Sequence, residues 1–530
     1  MTRTARLVVL AALGIGVFLV GVELMVTAVA LPQILADLSD WTELRRASWI
    51  INGYLLAYVA VMPLAGRAAD RFNIATLYGI SLAVFAAGSL AAGAAQDLDQ
   101  LIVARVVQGA GAGAIFPLAI AAAGHLFDGP ARARAIGVVG ALSFLGMAAG
   151  PFVGAMILQA FAGVAGAYPA FTSPAWRWVF YLATPFAFLA GLYTWAAARG
   201  WRNEPGSGRL DIVGAALFTT AVTLGLLSLT LIGDDAGVDP LPLAVVAVIA
   251  LGAAVFRFSR VRDPFLDLGH FRDRTFSGAV LMSLLTGYPL ATAIVGATVF
   301  VDRVRYAGPE EQQLTLGALA GAMAIGALAA GYIVRPLGVM LPSLAGLLAE
   351  IAGLVILSTG GPASDIALLS TGLALFGLGF GVTVTARTTG ALEALGRRAF
   401  GVGSAALTVA RMLGMAVGLA ALTVLGSSRI EALSVVLTDQ AARDAVLPPD
   451  LQGRPLEDYL VVDALETWAA GQAAGILSTL FLVAAVVTAV AIVPTLAMRN
   501  RPGAHSRAVD EETHDEPNAV DTATRAGLAI

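Results

Sequence analysis

Leu101-Ile-Val-Ala-Arg105-Val-Val-Gln108-Gly109-Ala-Gly111-Ala-Gly113 is a run of apolar and small residues broken by a single arginine. It belongs to an apolar segment centred near residue 112 that is long enough to span a bilayer, which takes roughly 20 residues. Inside lipid, an arginine must find a carboxylate or backbone carbonyls, because an unpaired charge at mid-bilayer costs about 3 kcal/mol or more. The stretch therefore reads as a transmembrane helix whose one charge has a partner on another helix.

The rest of the chain agrees with that reading. Its 530 residues are 58% hydrophobic and 13% charged, with a mean hydropathy of +0.82, which is more apolar surface than a water-soluble fold can hide. The first apolar run covers about residues 7 to 31 and follows Arg3 and Arg6. It ends in Ala28-Val29-Ala30 like a secretory signal, but it is longer than the roughly 7–15 apolar residues such a signal carries. Further runs centre near residues 57, 85, 112, 147, 189, 222, 249, 288, 324, 350, 376, 413 and 484, which predicts fourteen spanning helices with both termini on one side.

Arginine distribution assigns the side. If the N-terminus is cytoplasmic, most arginines fall in cytoplasmic segments, among them Arg67, Arg71, Arg132, Arg134, Arg257, Arg260, Arg262, Arg397 and Arg398. Those outside are Arg45, Arg46, Arg177, Arg303, Arg305, Arg429, Arg443 and Arg454, while Arg105 and Arg411 lie within apolar runs. The positive-inside rule then expects a multi-pass protein of the inner (plasma) membrane with N and C termini in the cytoplasm.

Cysteine is absent, which excludes disulfides, thiol catalysis and cysteine metal sites. Lysine is absent too, so no phosphate-binding G-x-x-x-x-G-K-[ST] loop exists and ATP hydrolysis by this polypeptide is not expected. His125, His270, His505 and His514 form no H-E-x-x-H pattern. No metal, nucleotide, nucleic acid or organic cofactor is expected, and no enzyme activity.

The organisation expected is all-α and integral to the membrane: a six-helix half over residues 1–200, two linker helices and a basic loop over 201–274, and a second six-helix half over 275–498. The segment from about 428 to 470, with Pro448-Pro449-Asp450, reads as an external excursion with some amphipathic helix, and 499–530 as a disordered cytoplasmic tail. Leu145-Gly-Met-Ala-Ala-Gly150 in the fifth run recurs as Leu413-Gly-Met-Ala-Val-Gly418 in the thirteenth, each preceded by a basic stretch. Chance likeness of small-residue helix faces is one explanation; the matched positions favour an ancestral repeat.

Several motifs carry a family resemblance. Gly66-Arg-Ala-Ala-Asp70-Arg71-Phe-Asn73, between the second and third helices, resembles the loop signature of the major facilitator superfamily, although Asn73-Ile74-Ala75 stands where that family continues with Gly and basic residues. Trp49-Ile-Ile-Asn-Gly-Tyr54-Leu-Leu-Ala-Tyr58 is similar to its fourteen-helix drug:proton antiporter branch, as are Arg105 before Gln108-Gly109 and the Trp176-Arg177-Trp178 entry to the sixth helix. Gly137, Gly146, Gly150-Pro151 and Gly154 resemble the antiporter signature of the fifth helix. Ala410-Arg411-Met-Leu-Gly414 is similar to the branch's Ala-Arg-Gln-Leu-Gly.

The resemblance implies the major facilitator fold, a central cavity, alternating access and proton-coupled export of a lipophilic or amphipathic solute, with the proton as coupling ion. Glu23 is the expected partner of Arg105, with Gln108 beside them; a purely structural ion pair is the alternative. Gly66, Asp70 and Arg71 are expected to form a cytoplasmic latch, with Asp70 facing a helix N-terminus. Pro151 and the glycines of the fifth helix are expected to make a kinked contact between halves on the outer side. Arg411 and Glu350 are further membrane charges, for which snorkelling, packing or lipid-facing positions compete with function. Two other functions remain open: export of a cell-envelope glycerolipid with an external carrier protein, and a non-transporting membrane sensor or scaffold.

Overall fold

The computed structural model describes residues 2–38, 46, 49–161, 174–199, 201, 211–231, 239–396 and 399–498. The linker around 202–210, Arg397-Arg398 and the tail 499–530 lie outside the described residues. Fourteen described helices are long and apolar enough to cross a membrane, and each contains one expected run. In the first half these are α1 (Arg3–Leu38), α2 (Trp49–Ala69), α3 (Ile74–Ala94), α4 (Leu98–Leu126), α5 (Gly129–Phe161) and α6 (Arg177–Ala197). Two further helices, α7 (Ile212–Thr230) and α8 (Pro240–Phe258), precede the second half. That half comprises α9 (Arg274–Val299), α10 (Pro309–Leu337), α11 (Met340–Ser358), α12 (Ile366–Leu395), α13 (Phe400–Thr438) and α14 (Tyr459–Val490).

The polar breaks between runs act as helix starts. Asn73, Asp97, Asp211, Asp239, Asp273, Asp365 and Asp458 each accept a backbone N–H from the first turn of the helix that follows, satisfying donors that lipid would leave bare. Asp211 does more than cap α7. It also accepts from Arg257 Nε of α8 at 2.6 Å and from Phe265 N at 3.3 Å, so one buried carboxylate ties both linker helices to the following loop.

The two halves repeat the same pairings: α1 packs on α5 as α9 packs on α13, α2 on α4 as α10 on α12, and α3 on α4 and α6 as α11 on α12 and α14. Individual atoms show the correspondence. A Cβ on Gly146 would run into Phe18 O and the Cα of Gly21, and one on Gly414 into Leu284 O and the Cα of Gly287. The echo seen in the sequence is thus the same backbone-to-backbone contact made twice, where small residues let two helices touch. Likewise Gly109 abuts Tyr54 O and Gly113 abuts Tyr58 O, as Gly377 abuts Leu319 O and Gly381 abuts Met323 O.

The halves meet along two related seams, α2 against α13 and α5 against α10. Both are tight near the face at which α1 begins, called the terminal face below. There Gly66 abuts Gly401 O, and Gly331 lies against Arg134 Cα and Ala133 O. On the opposite face the segment expected to be an excursion from about 428 to 470 is mostly helical: α13 continues to Thr438 and α14 starts at Tyr459. Between them a short helix, Gln440–Val446, and a turn pack Leu447 and Leu451 onto Val436, Val461 and Leu465.

Candidate functional site

Glu23 of α1 and Arg105 of α4 meet in the first half. Arg105 Nη1 donates to Glu23 Oε1 at 2.7 Å, and both side chains are 2% exposed. The rest of the guanidinium is also held: Nη1 donates to Gln108 Oε1 at 2.5 Å, Nε to Ile50 O at 3.2 Å, and the ring of Tyr54 lies 4.2 Å from its centre. Thr27 Oγ1 donates to Glu23 Oε1 at 3.4 Å. A carboxylate, an amide oxygen, a backbone carbonyl and the ring faces of Tyr54 and Phe180 thus surround the arginine, the kind of company that a charge cut off from water requires. Two polar atoms beside the pair, Gln108 Nε2 and the Tyr54 hydroxyl, are buried without a hydrogen-bond partner. The arrangement has capacity for rearrangement, since neutralising Glu23 would leave Arg105 attached to Gln108 and a carbonyl.

At the terminal face Asp70 bridges the halves. Its carboxylate accepts from Gly401 N at 2.8 Å and Val402 N at 3.0 Å, the first turn of α13, where helix N–H groups are unpaired and the helix dipole favours an anion. Burial pushes its carboxyl up to about 7, against the pull of the two amides, Arg67 and Arg71. Gly66 is one turn earlier, and any side chain there would push Gly401 and Ala405 away. Phe400, buried at the start of α13, packs its ring against His125 and under Arg132 of the first half, and Ser404 Oγ donates to Pro117 O at 3.2 Å.

The fifth-helix motif takes a different face from the one expected. Gly146, Gly150 and Gly154 pack on α1 of their own half, against Phe18, Val22, Met25 and Val26. Among the motif's glycines the contact with the second half is made by Gly137, which abuts Ala327 O of α10, towards the terminal face; farther along α5, Phe152 also reaches α10, at Gly317. Pro151, buried within α5, sits on the α1-facing stretch. The small residues serve the intra-half helix pair because the repeat demands that contact in both halves.

The second half carries a separate set of charges. Glu350 of α11 is fully buried, with Oε1 accepting from Thr383 Oγ1 of α12 at 2.9 Å and Oε2 unpartnered, which excludes the lipid-facing position. One turn beyond Thr383, Arg387 is 2% exposed, within electrostatic reach of Glu350, and donates from Nη1 to Thr286 Oγ1 of α9 at 2.5 Å. Arg387 lies near the end of its apolar run, where hydropathy alone does not mark it as a membrane charge. The polar string Thr383-Val-Thr385-Ala-Arg387-Thr388-Thr389 was the available signal. Arg411 of α13 is half-buried and within electrostatic reach of Tyr58 and Arg387.

These charges do not follow the repeat. Gly111 meets Ser81 O and Phe85 N where Gly379 meets Gly346 O and Glu350 N, so Glu350 occupies the place held in the first half by buried Phe85. By the same glycine register Arg105 corresponds to Leu373, Arg387 to Ala119 and Arg411 to Ser143. The scaffold is duplicated and the chemistry is not.

Comparison with known proteins accords with this architecture. The chain is 33% identical to a triacylglyceride transporter of Mycolicibacterium hassiacum over 472 residues, covering 85% of this chain and 84% of that protein. It is 26% identical to the multidrug transporter protein MdtP of Bacillus subtilis over 482 residues, 90% and 84% of the two chains. Among solved structures, a human organic anion transporter superposes with a TM-score of 0.60 at 15% identity, over 92% of this chain and all of that one. A bacterial homologue of the lysosomal transporter Spinster superposes with a TM-score of 0.58 at 18% identity, over 95% of this chain and all of that one. Residues 13–419 match the family described as Major Facilitator Superfamily, and the chain, with two repeated six-helix halves and two helices between them, belongs to that superfamily of membrane transporters.

Proposed function

We propose that this protein exports a lipophilic or amphipathic solute across the inner membrane by alternating access, driven by protons that bind Glu23. The observation that carries the reading is the Glu23–Arg105 pair, a carboxylate and a guanidinium shut away from solvent at 2.7 Å in a helix bundle that must change shape to work. A neutral carboxyl is far cheaper to place in apolar surroundings than a carboxylate, so proton binding and breaking of the pair are linked. The available force is about 2.3 kcal/mol per charge per 100 mV, with any pH gradient in addition. The Asp70 latch and the α5–α10 seam supply the element that opens and closes.

A second reading, export of a glycerolipid with help from an external carrier protein, is favoured by a specific observation: the relatives called triacylglyceride transporters align over most of their length. The helical extension of α13 and α14 on the face opposite the termini is where such a carrier would dock. Reconstitution in proteoliposomes with an imposed pH gradient, with a cationic dye and a triacylglycerol assayed side by side, separates the two readings. Glu23→Gln is expected to retain exchange and lose gradient-driven accumulation; wild-type uphill transport by that variant would remove Glu23 from the coupling step.

A further inference from the structure

Glu350 is a fully buried carboxyl that the coupling step at Glu23 does not use, and the duplicated packing does not ask for it, since the first half places Phe85 there. It makes no ion pair with a described residue, and its Oε2 has no hydrogen-bond partner. Its other oxygen lies 2.9 Å from Thr383 Oγ1, which lies 2.9 Å from Phe380 O as well. A threonine hydroxyl carries one hydrogen, so it serves only one of these acceptors at a time. Two arrangements therefore fill the same positions. With Glu350 ionised, Thr383 donates to it; with Glu350 neutral, the carboxyl donates to Thr383, which donates on to Phe380 O.

Arg387 stands beside this branch point. It is 2% exposed and one helical turn past Thr383 on α12, and its Nη1 donates at 2.5 Å to Thr286 Oγ1 of α9, which itself donates to Met282 O at 2.8 Å. That link ties α12 to α9. Glu350, on α11, is the acid within electrostatic reach of Arg387, and Arg411 of α13 also acts on Arg387. The other helices on α11 bring nothing closer: α10 and α14 carry their charged residues near their ends, and the short helix Ile492–Leu496 has none. A buried carboxylate is costly unless a cation reaches it, whereas a neutral carboxyl needs only an acceptor for its hydrogen.

We infer that Glu350 is a second proton-binding carboxyl, in the half opposite Glu23, and that its proton decides which helix holds α12. Neutral, it donates to Thr383 and leaves Arg387 on Thr286, so α12 is tied to α9. Ionised, having released the proton to water, it draws Arg387 to the vacant Oε2, so α12 is tied to α11. A role for this exchange in the transport cycle rests on the export reading; proton binding at Glu350 does not.

The test needs no substrate. Full-length protein in nanodiscs is titrated between about pH 5 and about pH 10, with bound protons counted and protonated buried carboxyls read from their carbonyl stretch in infrared difference spectra. Wild type should show a band that fades as pH rises and is missing in Glu350→Gln, which should bind about one proton fewer. Because Glu350→Gln can fail to fold, two neighbours probe the same carboxyl. Thr383→Val removes the donor that the carboxylate uses and should move the fading of that band to higher pH; Thr286→Val frees Arg387 for Oε2 and should move it to lower pH, each by about one unit or more. An equal proton count in wild type and Glu350→Gln, a band that persists across the whole range, or no shift in either neighbour variant overturns the inference. A proton lost in Glu23→Gln but not in Glu350→Gln overturns it and leaves the Glu23 reading standing, whereas one lost in Glu350→Gln but not in Glu23→Gln supports it and removes Glu23 as the proton carrier.

Discussion

Asp70 is expected to make the contact between halves at the terminal face respond to pH, and in a direction that charge counting alone would not give. Its carboxyl is pushed up to about 7 while it caps α13, chiefly by burial. With the halves apart it becomes an exposed aspartate with a pKa near 3.9. A group whose pKa is higher in the latched arrangement takes up a proton as the latch forms. Latching is therefore favoured fully below about pH 4, and that advantage is lost as pH rises through about 7. Between pH 8 and pH 6 the exposed aspartate stays ionised while the latched one goes from mostly ionised to mostly protonated, which favours latching by about 1.4 kcal/mol, or tenfold. Asp70→Asn removes the titration and leaves one side-chain oxygen for the two amides of Gly401 and Val402, so its latch should be weaker at low pH and insensitive to pH. Because the chain has no cysteine, spin labels at Leu7→Cys on α1 and Leu337→Cys on α10, both exposed near the terminal face, need no background removal. Pulsed electron–electron distance measurements should show the short-distance population growing severalfold from pH 8 to pH 6 in the protein with Asp70 and staying constant in Asp70→Asn. The same shift in both, or growth of the open population on acidification, would refute the argument.

Other consequences can be checked separately. Arg105→Ala strands the Glu23 carboxylate in a site 2% exposed, and should cost about 3–5 kcal/mol, seen as a large drop in thermal stability in detergent; adding Glu23→Gln should recover much of it. Gly146→Ala and Gly414→Ala, which put a methyl group into equivalent backbone contacts, should each destabilise by about 1–3 kcal/mol in the same assay, and a silent pair would contradict the duplicated packing. A reporter fused after residue 500 is expected on the cytoplasmic side and one inserted near Pro449 on the outer side; the same side for both would break the topology.

The membrane architecture was legible because lipid imposes it locally. Any stretch of about 20 residues must satisfy its own backbone, so each helix announces itself without reference to the others. The Glu23–Arg105 pair was legible for a related reason: two charges in early apolar runs have few ways to be neutralised, and pairing is the cheapest. Properties that depend on register between helices were not legible. The glycines of α5 announced a close approach but not its partner, and they fit α1 because the Gly21–Gly146 contact must hold in each half, as Gly287–Gly414 does. Glu350 looked isolated because its neighbours Thr383 and Arg387 come from another helix. The repeat gave no help there, since the first half has Phe85 at the equivalent place. A duplicated scaffold dictates equivalent backbone contacts, because helix packing is unforgiving of a misplaced Cβ. It leaves other side chains free to diverge, and this asymmetry puts the Glu23–Arg105 pair in one half and Glu350, Arg387 and Arg411 in the other.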